Sequence, residues 1–236
     1  MSETLDNKRL QYMALGLVSL GVIGFTAILS MFPGMPFQKY FGGINPLLAV
    51  ALVTVAGAVS LSVLHSRGWF TIVSTGKSRQ GLAISAIFAT LFALTVVPAD
   101  ILIRFPKDMN VPLPQSLFFY PAIGYVVDVA FHAVPLALLL VLLTNFWKQR
   151  NPNNLVWLCI LLVSFLEPIL VQLRLDYFGK PFSWAEGYVA LHVFAFNLVE
   201  LYIFRKYDFV SMYVFRIVYY LYWHIIWGHL RLQWLF

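Results

Sequence analysis

Eight ionisable residues lie inside strongly apolar stretches of this chain: Asp100, Asp128, His132, Glu167, His192, Glu200, Arg216 and His224. Each costs about 2.5–3.5 kcal/mol at bilayer depth on insertion scales, so such residues usually face a bundle interior and mark a site. Carboxylates and imidazoles that converge there support three chemistries. They activate a water by general base catalysis. They bind a divalent metal, zinc or iron, for which Asp128, Glu167 and His224 are suitable ligand types. They relay protons in a carrier.

Spacing narrows the set. Asp128 and His132 are four residues apart and share one helix face. Glu167 precedes Pro168, which removes a backbone hydrogen bond and predicts a kink beside the acid. Gly228 follows His224 by one turn and leaves room beside the imidazole. Alternate spanning helices run in opposite directions. At 1.5 Å per residue this puts Asp128, Glu167 and His224 within roughly 6 Å of one another in depth, with Asp100 and His192 toward the same side. Each also has a plainer reading: a polar contact between helices for the acids and His132, and an interfacial aromatic-belt residue for His224, which Trp223 and Trp227 flank. Glu200 and Arg216 flank the turn between the last two helices and are expected to form a structural ion pair across that hairpin. His65 and His229 lie near helix ends and read as interfacial.

The elements that carry these residues are legible from composition. Of the 236 residues, 61% are hydrophobic and 11% charged, against roughly a quarter charged in soluble domains; mean hydropathy is +0.80. The fold class is all-α: a polytopic membrane helix bundle, one integral domain over 1–236. Seven apolar segments are expected at about 11–32, 46–65, 81–103, 118–146, 153–173, 183–204 and 209–230. The first is too long for a signal-peptide core and is expected to remain as an anchor. The stretch FPGMPFQKYFGG after it is expected to lie non-helical in the interface. Cys159 sits in an apolar run and is expected to be structural.

The net charge of +6 is carried largely by loop Lys and Arg, which set orientation and hold lipid headgroups; no nucleic-acid partner is implied. With the N-terminus cytoplasmic, nine basic loop residues fall inside and six outside, Arg231 among the latter. The expected localisation is therefore a multi-pass membrane protein with a cytoplasmic N-terminus. The last helix holds no lysine, so no retinal-type Schiff base forms there. Serine-hydrolase elbows, zincin motifs and phosphate-binding glycine loops are missing from the sequence.

The order of features resembles the CAAX-protease and bacteriocin-processing (CPBP or Abi) family of intramembrane proteases. V-D-V-A-F-H, Val127 to His132, lies where that family has E-E-x-x-x-R: Asp128 takes the second glutamate, Phe131 the common phenylalanine, and His132 stands for the arginine. F-L-E-P keeps Phe165 of F-x-x-x-H, with Glu167 near the expected histidine. H-I-I-W-G keeps His224 of H-x-x-x-N, with Gly228 in place of the asparagine. The resemblance covers about residues 118–230 and implies a glutamic- or metallo-type endopeptidase. Asp128 would be its water-activating base, Glu167 and His224 would hold water, substrate carbonyl or a metal, and His132 would support Asp128. Two other readings stand beside it. One is a non-catalytic relative that binds a membrane protein or lipid; the other is a small proton-coupled carrier. The partners implied are the lipid bilayer and a peptide or membrane-protein substrate.

Overall fold

The computed structural model describes residues 2–32, 43–146, 152–172 and 183–236. The FPGMPFQKYFGG stretch lies almost wholly outside them. Seven helices are long and apolar enough to cross a membrane, and among the described residues there is no β-strand. The molecule is an all-α bundle that fits an integral, multi-pass membrane protein.

Helix α1 is Ser2–Leu29, α2 Pro46–Ser66 and α3 Ser78–Ile103. A connection with one 3₁₀ turn, Lys107–Met109, leads to α4. The remaining spans are interrupted. α4 runs Ser116–Val127 and resumes as Val134–Phe146 after a π segment, Asp128–Ala133. α5 runs Pro152–Ser164 and ends in a π segment, Pro168–Gln172. α6 is the unbroken helix Trp184–Lys206. α7 runs Phe209–Tyr220, passes through a π segment at Leu221–Trp227, and ends as Gly228–Trp234.

Local chemistry explains the boundaries. Asn45 caps α2 by accepting from the Leu47 and Leu48 amides, with Pro46 at the first helical position. Ser183 and Glu186 form a reciprocal capping box on α6. Asp208 caps α7 through the Ser211 amide at 2.7 Å and also accepts from the Ser74 amide at 2.9 Å, tying the α6–α7 turn to the α2–α3 connection. Pro168 withholds its amide, and the α-helical ladder of α5 lapses just before it, as the Glu167–Pro168 pair predicts.

The outside of the bundle is apolar as well as its core, and a few charged groups are buried within. Leu17, Leu94 and Leu102 are 70%, 65% and 79% exposed, while Asp128, Glu200 and Asp100 are fully buried. Lipid-facing leucine needs no protein partner, but a charged group must find one inside the bundle. The most extensive pairing is α3 against the first part of α7. Gly81 permits it: a Cβ there would fall on the Ser211 hydroxyl and within 3.0 Å of the Tyr207 Cβ. Tyr207 Cβ is one bond from the backbone and cannot swing away. Gly81→Ala is therefore expected to cost about 1–3 kcal/mol by overpacking. Thermal unfolding in detergent reads this directly, and an unchanged midpoint would refute it.

Candidate functional site

Among the described residues, the three π segments are where the candidate chemistry collects. Asp128 and His132 occupy the first, Glu167 adjoins the second, and His224 lies in the third. A π turn widens the helix, re-aims its side chains and recurs at functional sites. Here it turns Asp128 and His132 inward, both fully buried, with His132 Nδ1 3.9 Å from Asp128 Oδ1.

Arg216, from the first part of α7, stands at the centre. Its Nε donates to Asp128 Oδ1 at 2.5 Å and to Glu200 Oε1 at 3.1 Å. Its Nη2 donates to Glu200 Oε2 at 2.6 Å and lies 3.5 Å from Glu167 Oε2. Its Nη1 donates to the Tyr220 hydroxyl at 3.1 Å. The guanidinium also sits over the Phe196 ring, 5.1 Å from its centroid. One planar fork thus ties α4, α5 and α6 to α7, a geometry that a point-charge ammonium cannot reproduce. The expected ion pair between Glu200 and Arg216 is present, but it is one limb of a five-residue cluster rather than a hairpin clip.

Charge is unbalanced. Three carboxylates meet one guanidinium, leaving a deficit of two in a site screened from water. Bare buried charge is costly, so protons or a cation must share the site. Asp128, His132 and Glu200 offer ligand atoms within 4.8 Å of one another, a group that could hold a metal. Asp128 Oδ2 and both His132 nitrogens are buried without hydrogen-bond partners. Asp128 Oδ1 and both Glu200 oxygens, however, are already taken by Arg216. A metal would use the remaining Asp128 oxygen and the imidazole.

Beside the cluster lies a cavity of about 510 Å³, bounded by α3, the α3–α4 connection, α5, α6 and α7. Glu167, Arg216, Tyr220, His192 and His224 reach its surface. Asp128, His132 and Glu200 do not, because they lie behind the guanidinium. The remaining wall is largely apolar, with Val96, Ile103, Phe196 and Trp223 among its residues.

The expected residues are therefore divided. Asp128, His132 and Glu167 gather around Arg216. His224 lies eight residues further along α7, roughly 12 Å by helical rise, and meets the same cavity from another wall. Its ring stacks on Tyr120, with centroids 4.5 Å apart at 12°, and its Nδ1 lies 2.8 Å from Asn110 Oδ1. The space beside His224 at Gly228 is filled: a Cβ on Gly228 would come within 2.7 Å of Asn110 Nδ2.

His192 bonds the Tyr219 hydroxyl at 3.0 Å and also lines the cavity. Asp100 belongs elsewhere. It accepts from Arg231 Nε and Nη2 at 2.6 and 2.9 Å and from Trp227 Nε1 at 2.7 Å. Arg231, counted above among the loop cations, is fully buried inside α7.

Sequence reading missed Arg216 as the hub, Glu200 as its bidentate acceptor, and Asn110. Charge balance was the signal for the first two: a membrane interior holding several acids needs a cation among them, and Arg216 lies at mid-span. Asn110 gave no signal, since it lies in a connection joined to His224 only by the fold. Compared with family models, with curated proteins and with solved structures, the chain matches none.

Proposed function

We propose that the chain is an intramembrane peptidase-type hydrolase, with Glu167 as the water-activating carboxylate. One observation carries the reading. A cavity within the bundle is lined by the Glu167 carboxylate, the His192 and His224 imidazoles and the guanidinium-bound Tyr220 phenol, among largely apolar residues. Glu167 is favoured over Asp128 because it is 13% exposed, whereas Asp128 is sealed behind Arg216.

In the proposed reaction, Glu167 takes a proton from water and the oxygen attacks a peptide carbonyl carbon. Tyr220 accepts from Arg216 Nη1, which leaves its own O–H to donate to the developing oxyanion. Collapse breaks the C–N bond, and Glu167 returns the proton to the leaving amine. His224 meets the same cavity from another wall and would contact the substrate rather than the water. Asp128 and Glu200 hold Arg216 in place, and His132 backs Asp128. The resemblance of V-D-V-A-F-H, F-L-E-P and H-I-I-W-G to the intramembrane protease motifs supports the same reading. We place the N-terminus on the cytoplasmic side: removing Arg231 from the loops lowers the outer basic count from six to five against nine inside.

The test enriches new peptide N-termini from membranes of cells that express either the wild-type chain or Glu167→Gln. Cleavage products confined to the wild type support hydrolysis. Identical products in both remove Glu167 from the chemistry. A second reading, non-catalytic binding of a membrane partner, has its own support in the full occupation of Glu200 by Arg216. It predicts partner capture that survives Glu167→Gln, with no new N-termini in either sample.

A further inference from the structure

We propose that Asn110 is a positioning residue that fixes His224 as the Nδ1–H tautomer, leaving the Nε2 lone pair as the basic atom of the ring for the cavity. The consequence for catalysis rests on the hydrolase reading; the tautomer itself does not.

A neutral imidazole has one N–H, and which nitrogen carries it is set by the partner of the other. The atom facing His224 Nδ1, at 2.8 Å, is Asn110 Oδ1, a carbonyl oxygen that only accepts. With the amide in this orientation the proton sits on Nδ1 and Nε2 is unprotonated; the reversed amide, which would give the otherwise unpartnered Asn110 Nδ2 an acceptor, puts the proton on Nε2 and is the alternative that the experiment below tests. The ring is held as well as polarised. Tyr120 stacks on one face at 4.5 Å, and Tyr220 meets the ring edge-on at 4.9 Å. With one ring nitrogen bonded and one face covered, Nε2 remains for a ligand in the cavity that His224 lines.

The chain invests in holding Asn110. The connection that carries it is anchored on both sides. Before Asn110, Arg231 Nη1 donates to the Pro106 carbonyl at 2.9 Å and Nη2 to the Phe105 carbonyl at 2.5 Å. The same guanidinium is held by Asp100. After Asn110, the Val111 amide donates to the Tyr120 hydroxyl at 2.9 Å. Tyr120 is the residue that stacks on His224, so one side chain orients both partners. Gly228 completes the arrangement, since only a hydrogen there lets the Asn110 amide sit this close. The buried Asp100–Arg231–Trp227 cluster, otherwise a bare helix tie, thereby gains a role. It sets the connection at the height of His224.

The experiment is ¹⁵N NMR of histidine-labelled protein in lipid nanodiscs, which distinguishes the two neutral tautomers from the imidazolium. The His224 signals are assigned by their loss in His224→Gln. The expected wild-type result is the Nδ1–H form. Asn110→Ala and, independently, Gly228→Ala should each shift the ring toward the Nε2–H form, which is favoured in free imidazole side chains. Asn110→Asp, which keeps an acceptor oxygen, should retain Nδ1–H. An Nε2–H ring in the wild type overturns the proposal without recourse to any variant, and so does an unshifted spectrum in Asn110→Ala. If the tautomer is as expected but no cleavage is ever found, the hydrolase reading fails and the positioning role stands.

Discussion

Arg216→Ala is expected to destabilise the protein by about 3–5 kcal/mol, the cost of removing one partner from a buried ionic network. The reason is what it leaves behind. Asp128 and Glu200 are fully buried and take their hydrogen bonds from this guanidinium; Glu167 loses its nearest cation. Asp128 and Glu200 would then face each other across a hole, sealed from water, with Glu167 at its cavity edge. Arg216→Lys should recover only part of the loss, because an ammonium cannot satisfy Asp128 and both Glu200 oxygens in one plane. Neutralising the acids as well, with Asp128→Asn and Glu200→Gln in an Arg216→Met background, should restore more stability than lysine does. Buried ion sets replaced together are often neutral to stability, and Glu167, the acid left, faces the cavity. Melting in detergent, followed by the monodisperse fraction on size exclusion, measures all three variants. An Arg216→Ala protein that melts with the wild type would show that the acids do not depend on it.

Glu167→Gln is expected to act on the other axis, lowering the rate of peptide cleavage roughly 100- to 10,000-fold, the range attributed to a positioned general base. Its effect on melting should be small. Glu167 lies at the margin of the cluster, its 3.5 Å approach to Arg216 is the longest of the three, and part of it is exposed in the cavity. Glutamine keeps the shape and loses the base. Asp128→Asn makes the contrast: it removes a 2.5 Å charge-assisted bond, so stability should fall along with activity. A Glu167→Gln protein that cleaves at the wild-type rate, with Asp128→Asn folded and inactive, would move the base back to Asp128.

The two axes mirror what the sequence could reveal. Helix number and span lengths followed from hydropathy, because lipid demands about twenty apolar residues per crossing. Asp128, His132 and Glu167 stood out because charge is expensive in those spans. The partners of these residues were harder to read. Glu200 and Arg216 lie close to a tight hairpin, so the local pairing explained them too easily and hid their reach to α4 and α5. Arg231 looked like a terminal loop cation. Only packing reveals that Asp100, more than a hundred residues earlier, neutralises it. Depth arithmetic counts inward from each helix's own ends and does not fix how two helices are set against each other. It put His224 level with Asp128 and Glu167, whereas Arg216, about two turns earlier in α7, is the residue that meets them.

The π segments also bear on how this chain tolerates change. Each inserts a wide turn into an otherwise α-helical span, so the parts before and after it are out of phase with a single helix. In α4 that offset lets Tyr125 and Val129 pack in the core while Asp128 and His132 still point inward and Ala130 faces out. Substitution within the segment alters one side chain. Loss of a single residue would let the wide turn close to an ordinary α turn, so the parts on either side would keep their faces and Leu136 and Leu140 would stay buried. What would be lost is the arrangement inside the segment: Asp128 and His132 would no longer both be aimed at the cluster while the bundle around them stayed packed. At such a point a change of length spares the scaffold and strikes the site.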